Sequence, residues 1–337
     1  MNICVLFDTV NSPTGGGNQF LKALISQFVR MGHGVSTRPT KDTDVVLLNG
    51  FNYASGRRLR VGQVAEIRHL GRMSTVGRVL PRWCLETLGR RGPVLVHRVD
   101  GVPELTRGHR TPADDVQPAV NRLADHTIFQ SEFCRESFLE HGGTPSTWSI
   151  VNNGVDPRVF FPPRVPPKVD GGLRLVAASW SPNRRKGFAT LAALSRIAGV
   201  RVVFAGNWSP EIEPEGVELV GVLTSVELAQ LMRTASALVH AAWNEPCSNT
   251  VVEAMACGLP VIFRDSGGNA ELVGDCGVAL TDNLHDTVGS LAADYGAFIE
   301  RVRADRGRFL VDRAANGYIA AFREAVARHQ SARVSKH

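Results

Sequence analysis

Hydrophobic positions along the 337-residue chain alternate between two periods. Short β-branched runs, "NICVLF" (2–7), "DVVLLN" (44–49), "PVLVHR" (93–98), "HTIFQS" (126–131) and "WSIVNN" (148–153), predict strands. Between the first two, "NQFLKALISQFVRMG" (18–32) puts Phe20, Leu21, Leu24, Ile25, Phe28 and Met31 on one helical stripe that stops at Gly32. "FFPPRVPPKVDGG" (160–172), with four prolines and two glycines, interrupts the rhythm and reads as a linker.

The rhythm then resumes. Strands are expected at 173–179, 200–206, 217–221, 237–242, 260–264 and 277–280, with helices between them. One helix opens with Thr224 and Glu227 in capping-box spacing. Alternation of this kind predicts an α/β protein with two doubly wound, Rossmann-like domains facing a cleft. The boundaries read as 1–162 for the first domain, 163–172 for the linker and 173–312 for the second. An amphipathic helix at 313–330 is expected to cross back to the first domain.

Composition narrows this picture only slightly. With 43% hydrophobic and 21% charged residues, the chain has the balance of an ordinary water-soluble protein. Its six cysteines, at 4, 84, 134, 247, 257 and 276, form no CxxC pair and read as thiols of a reducing compartment. The start "MNICVLFD" looks like a first strand, not a signal peptide, and no apolar run approaches the roughly 20 residues of a membrane span. A cytoplasmic location is expected.

The net charge of +6 is concentrated. Residues 57–91 carry nine arginines against Glu66 and Glu86, which is +7, so the remainder is nearly neutral. A local patch implies a local anionic partner and argues against a general nucleic-acid binder. Apolar residues such as Leu70, Val76, Leu80 and Trp83 interleave with the arginines. Two readings stand: a peripheral contact with the inner membrane face or a lipid-linked acceptor, and a helix with a solvated basic face.

Two stretches could carry chemistry. After the first strand, "DTVNSPTGGGNQFL" places Gly15, Gly16 and Gly17 ahead of a helix, where backbone N–H groups can approach an anion. Taken alone, three glycines serve as well for a flexible turn. The second stretch is "NEPCSNTVVEAMACGLP" (244–260), with Glu245 and Glu253 eight positions apart. That spacing means little, because Glu132 and Glu140 repeat it in "SEFCRESFLE". The difference lies between the glutamates. "SEFCRESFLE" reads as one helix with a solvated face. In the other stretch Pro246 stops a segment, and Ser248, Asn249 and Thr250 are good residues with which to start a helix. Free N–H groups there favour phosphate. A nucleoside diphosphate sugar fits this order, with ribose at Glu253, diphosphate at the helix start beside Cys247 to Thr250, and sugar hydroxyls at Glu245.

"EPCSNTVVEAMACGLPVI", followed by "SGGNAELV" with Gly267, Gly268 and Glu271, resembles the signature of retaining glycosyltransferases of family 4, which have the two-domain GT-B fold. The likeness covers most of the chain, more loosely at the N-terminus. It implies that the glycine loop faces the donor, that His97 in "VLVHRVDG" faces the donor sugar, and that Lys186 in "SWSPNRRKGF" binds the diphosphate. "VNNGVDPRVFFP" matches the family's segment before the linker. One departure stands out. Many members have a Gly-Arg pair where this chain has Ala178 and Ser179, so Arg184 or Arg185 would have to supply the missing charge. On the acceptor side Asp100 and Asn18 are candidates. Apart from the resemblance, His97 could equally be a core histidine, and Asp100 a turn former before Gly101.

The implied reaction is sugar transfer from a nucleotide sugar to a sugar, lipid-linked or small-molecule acceptor, with retained anomeric configuration. No cofactor and no metal ligand set is expected. The alternatives are a nucleotide-sugar epimerase of the same architecture and a non-catalytic nucleotide-sugar binder.

Overall fold

The computed structural model describes residues 1–11, 15–54, 57–68, 92–169 and 171–334. The first domain holds β1 (Asn2–Leu6), β2 (Gly34–Ser36), β3 (Val45–Asn49), β4 (Asn52–Ala54), β5 (Arg57–Arg58), β6 (Val94–Val99), β7 (His126–Phe129) and β8 (Trp148–Ile150). Its main path runs β2-β1-β3-β6-β7-β8, parallel throughout, and β4 and β5 fold back antiparallel beyond β3. All five residues of β3 are buried, as expected of a parallel strand covered on both faces.

In the second domain β9 (Leu173–Ser179), β10 (Val200–Gly206), β11 (Glu218–Gly221), β12 (Ala237–His240), β13 (Val261–Phe263) and β14 (Gly277–Ala279) form one parallel sheet. The order β11-β10-β9-β12-β13-β14 is that of the doubly wound dinucleotide-binding fold. The strand order reverses at β9 and β12, so a crevice opens where their carboxyl ends part.

The C-terminal helix spans Val311–Val334 and returns to the first domain. Phe20 and Phe28, on the stripe of helix Gly16–Arg30, meet Tyr318 and Phe322 with ring centroids 5.8–6.4 Å apart. Each fully buried aromatic of this kind contributes about 1.5–3 kcal/mol through its apolar area. The crossing is pinned at Val155, whose N–H donates to the Phe309 carbonyl at 3.0 Å and whose carbonyl accepts from the Val311 N–H at 2.9 Å. Gly154 is required there, since a Cβ would lie 2.6 Å from the Leu310 carbonyl.

Most strand positions agree with the hydrophobic pattern, but some ends differ. β7 stops at Phe129, ahead of the expected 131, because Ser131 caps the next helix, its Oγ accepting from the Cys134 N–H at 3.0 Å. β2 has one exposed and two half-exposed residues and offers too short a run to show a period.

Only part of the basic stretch 57–91 belongs to the described residues. Arg57 and Arg58 are exposed in β5, while helix Val61–Ile67 turns Val64 and Ile67 into the core beside Val120. Arg68 pairs with Asp125 at 3.1 Å. Residues 69–91, including the apolar positions that prompted the membrane reading, lie outside the described residues. Among the described residues no helix is long and apolar enough to cross a membrane.

Candidate functional site

The crevice at β9 and β12 is floored by strand ends and roofed by the other domain. One cavity, of about 100 Å³, is lined by Gly15, Gly16, Trp180, Gly206, Leu223 and Glu253, among others. A second, of about 190 Å³, has Gly16, Ser179, Lys186, His240, Glu245 and Ser248 in its walls. Both include Asn249 and Thr250, the first residues of helix Asn249–Ala256. Ser248 caps that helix by accepting from the Val251 N–H at 3.4 Å. The first N–H groups of a helix have no intrahelical partner, and its dipole is positive at this end. The site therefore favours an anion at its centre.

Two backbone devices hold Glu245 at the rim. Asn244 has φ 54, left-handed for a residue with a side chain, and is locked by Ser266. Its N–H donates to Ser266 Oγ at 3.0 Å, and the hydroxyl returns a bond to Asn244 Oδ1 at 3.0 Å. Gly267 then passes so close that a Cβ would lie 2.7 Å from the Glu245 nitrogen, and the Gly268 N–H donates to the Glu245 carbonyl at 2.8 Å. The glycine-rich turn is thus a buttress for Glu245.

Lys186 is set by a short turn, Arg184–Lys186, capped by Asn183, whose Oδ1 accepts from the Arg185 N–H at 2.9 Å. The Lys186 ammonium donates to Glu245 Oε1 in an ion pair 24% and 15% exposed at its two side chains. Burial pushes the Glu245 carboxyl up, but the neighbouring Lys186 ammonium opposes it, and the net result lies below the usual carboxylate range. Glu245 is therefore a carboxylate at neutral pH.

Glu253 behaves oppositely. It is 8% exposed, and burial raises its carboxyl to about 8. At pH 7 it is mostly protonated, so it can both donate to and accept from a hydroxyl. The two glutamates of the motif are chemically distinct. Glu132 and Glu140, on helix Glu132–Glu140, are both exposed, as the single-helix reading expected.

Several expected residues do not reach the crevice. His97 is fully buried in β6, with Nε2 bonded to the Gly50 carbonyl at 2.8 Å and Nδ1 to Asn121 Nδ2 at 3.1 Å. Burial lowers its pKa to about 4, so it is a neutral core histidine. The strand explains this: all six residues of β6 are buried between the layers, His97 among them, and only Asp100, just past the strand end, is partly exposed. Asn18 is spent on the loop after β1, its amide exchanging two bonds of 3.0 Å with Val10. Gly17 has open space around it and lines neither cavity.

The two arginines also point elsewhere. Arg184 is 73% exposed and pairs with Glu211 at 3.2 Å. Arg185 reaches across to the first domain, donating to the Leu105 carbonyl at 3.1 Å. Neither compensates for Ala178 and Ser179 inside the cavities. Cys247 is buried behind the helix start, and burial pushes its thiol up to about 11, so it stays protonated.

Asp100, at the carboxyl end of β6, is 28% exposed. Its Oδ1 takes the Arg98 guanidinium and Gln130 Nε2, the latter at 3.2 Å. The next residue, Gly101, packs on Pro246: a Cβ there would meet its ring at 2.8 Å. Asp100 thus sits beside the loop that carries Glu245. Glu271, on helix Asn269–Val273, crosses the interface too, accepting from the Glu132 N–H at 2.9 and 3.1 Å.

Two cavity residues escaped the motif. Burial holds His240 neutral, with a pKa lowered to about 4, and its Nε2 has no hydrogen-bond partner. Trp180 is exposed over both cavities. Each follows from the rule that ligands bind at the carboxyl ends of strands about the switch point, applied to β9 and β12. Among the described residues, no group of three or more His, Cys, Asp or Glu side chains is arranged to hold a metal ion.

With this geometry in view, known proteins are informative. The family model described as "Glycosyl transferases group 1" matches residues 171–303, which contain the β9–β14 sheet, Lys186 and both motif glutamates. A GDP-mannose-dependent alpha-mannosyltransferase of Mycobacterium tuberculosis is 28% identical over 46% of this chain and 43% of its own length. A D-inositol 3-phosphate glycosyltransferase of Mycobacteroides abscessus is 25% identical over 72% of this chain and 63% of its own. The matched region is thus about half the length of these curated relatives. Among solved structures, Anabaena HepE in complex with UDP covers 96% of this chain and 100% of its own at TM-score 0.67 and 16% identity. AviGT4, a glycosyltransferase involved in avilamycin A biosynthesis, covers 97% and 98% at TM-score 0.65 and 17% identity. The architecture is GT-B.

Proposed function

We propose that this protein is a retaining glycosyltransferase of family 4 that moves a sugar from a nucleoside diphosphate sugar to a hydroxyl-bearing acceptor. The observation that carries this reading is the convergence of the Lys186–Glu245 pair, the start of helix Asn249–Ala256 and the Gly15–Gly16 loop on one crevice between the domains. Supporting it are the family match over the second domain and the activities named for its relatives, which include transfer from GDP-mannose.

In this reading the diphosphate lies on the helix start. Lys186 and the helix N–H groups stabilise the charge that develops as the sugar C1–oxygen bond breaks. Glu245, ionised and buttressed, orients the sugar hydroxyls. Glu253, protonated, bonds the ribose. The acceptor oxygen attacks C1 from the face the diphosphate leaves, and its proton passes to the departing phosphate oxygen. The first domain contributes Asp100 at the acceptor side. Protein groups supply the charge stabilisation, with no cofactor in the scheme.

The test is to incubate the protein with nucleotide sugars and a set of polyol, sugar and lipid-linked acceptors. Proton NMR then follows the anomeric signal. Release of nucleoside diphosphate with a new glycoside of unchanged configuration is expected. An inverted product would remove the retaining assignment, and epimerised donor without acceptor would replace transfer by epimerisation.

A further inference from the structure

We infer that Arg98 is a positioning residue that fixes which way round the Asn249 amide faces, so that Asn249 Nδ2 donates to the phosphates of a nucleoside diphosphate; this rests on the nucleotide-sugar reading above. Arg98 is fully buried in β6, an unusual place for a guanidinium. It donates to Asn49 Oδ1 at 2.8 Å, Gln130 Oε1 at 2.8 Å, Asn153 Oδ1 at 3.1 Å and Asp100 Oδ1, and sits over the Phe20 ring at 5.1 Å.

A guanidinium only donates. Every group facing it must therefore present an oxygen, which sets the direction of each amide around it. Asn153 turns Oδ1 to Arg98, so its Nδ2 faces the other way and donates to Gln130 Oε1 at 2.7 Å and to Asn249 Oδ1 at 3.1 Å. Gln130 is fixed independently, because its Nε2 donates to the Val99 carbonyl at 3.0 Å and to Asp100. No link can reverse without setting two oxygens, or two NH2 groups, face to face.

The relay ends across the domain interface. Asn249 has its oxygen committed to Asn153, so its NH2 is turned toward the glycine loop. A Cβ on Gly16 would lie 2.5 Å from that Nδ2. Gly16 and Asn249 line both cavities at the helix start, where the diphosphate is expected. The fixed amide adds one N–H donor to those of the helix. A reversed amide would aim a carbonyl oxygen at an anion.

The test uses the full chain. ADP, GDP, UDP, CDP and dTDP are titrated by calorimetry, and the tightest binder is taken into a double-mutant cycle of Asn153→Asp with Asn249→Ala. In the native background Asn249→Ala should weaken binding about tenfold, the loss of one hydrogen bond to a charged group. Asp at 153 accepts from Arg98 but cannot donate, so Asn249 turns its NH2 inward and its oxygen outward. There Asn249→Ala should leave affinity unchanged or improve it. A purely structural role, or simple repulsion by the added charge, leaves the Asn249→Ala penalty equal in both backgrounds, and that result overturns the relay.

Asn153→Ala provides a parallel cycle should the aspartate variant not fold. The Asn249→Ala penalty should then shrink to about threefold or less, and an undiminished penalty again overturns the relay. A native protein that binds none of the five nucleotides overturns the nucleotide-sugar reading and the relay together. Binding with equal penalties overturns the relay alone.

Discussion

Arg185 spans the cleft to donate to the main-chain carbonyl of Leu105, 3.1 Å away in the opposite domain. Asn183 and Asn244 make parallel contacts with the carbonyls of Arg107 and Leu105, at 3.2 and 3.4 Å. All three cap the end of helix Pro103–Arg107, whose last carbonyls lack helical partners. Arg185 therefore acts in holding the domains together. Arg185→Ala should leave nucleoside diphosphate affinity within about twofold and lower kcat by a factor of about three to ten, the size of one charge-assisted hydrogen bond. Calorimetry and initial rates check this, and a tenfold loss of nucleotide affinity would return Arg185 to the diphosphate.

Gly16 marks where the two domains touch at the site. In the first turn of a helix alanine is ordinarily preferred over glycine. Here a methyl group would collide with Asn249 at its Nδ2 and Cβ, 2.5 and 2.7 Å away. Gly16→Ala should weaken nucleoside diphosphate binding by about tenfold or more, displacing the amide and the glycine loop together. Binding equal to native would contradict a role for the Gly16–Asn249 contact in holding the diphosphate.

Glu253 makes stability fall with pH. Its carboxyl ionises near 4.5 when unfolded and near 8 when folded, so between these values the folded state retains a proton that the unfolded state has lost. The cost of burying it thus grows as pH rises from about 4.5 and is complete above about 8. Glu253→Gln removes it. The variant's advantage in denaturant unfolding should be small at pH 5 and reach a few kcal/mol at pH 9. A constant difference across that range would contradict a protonated Glu253.

His97 gives the reverse dependence. Burial lowers it from 6.5 to about 4, so the unfolded state gains a proton first and stability falls as pH drops between these values. His97→Ala should cost about 3 kcal/mol at pH 7, from a cavity and from the unpaired Gly50 carbonyl and Asn121 amide. The same variant should lose stability less steeply below pH 6. Once folded, it should keep kcat within about threefold of native, because the ring does not reach the crevice. A large loss of kcat at unchanged stability would restore the catalytic role implied by the family resemblance.

The two sheets were readable in the chain because buried parallel strands are dense in β-branched residues. The stripe from Phe20 to Phe28 similarly marks a one-sided helix. β2 was hidden because three residues cannot show a period. In the site, the Ser248–Thr250 helix start and the split between Glu245 and Glu253 were visible, since one break in helical character separates them from the Glu132–Glu140 pair. The residue at which a strand stops was not visible. His97 lies within β6 and Asp100 just past its end, and only the point at which the strand stops decides that one is core and the other partly exposed. Arg184, Arg185 and Lys186 fall on one short turn, where each residue points differently, so adjacency gave no means of choosing among them. The buried Arg98 network was beyond reach for a similar reason, since its members come from five separate segments.

The central claim is that the Lys186–Glu245 pair works on a nucleotide sugar at the start of helix Asn249–Ala256. Its most direct measurement is nucleoside diphosphate released with glycoside formed, for native protein, Lys186→Ala and Glu245→Ala, each verified as folded by circular dichroism and thermal unfolding. Native protein should form glycoside in step with released diphosphate, and both variants should fall by about a thousandfold or more, as expected when a charge-stabilising or orienting group leaves a closed site. Turnover at the native rate in either folded variant would contradict the account.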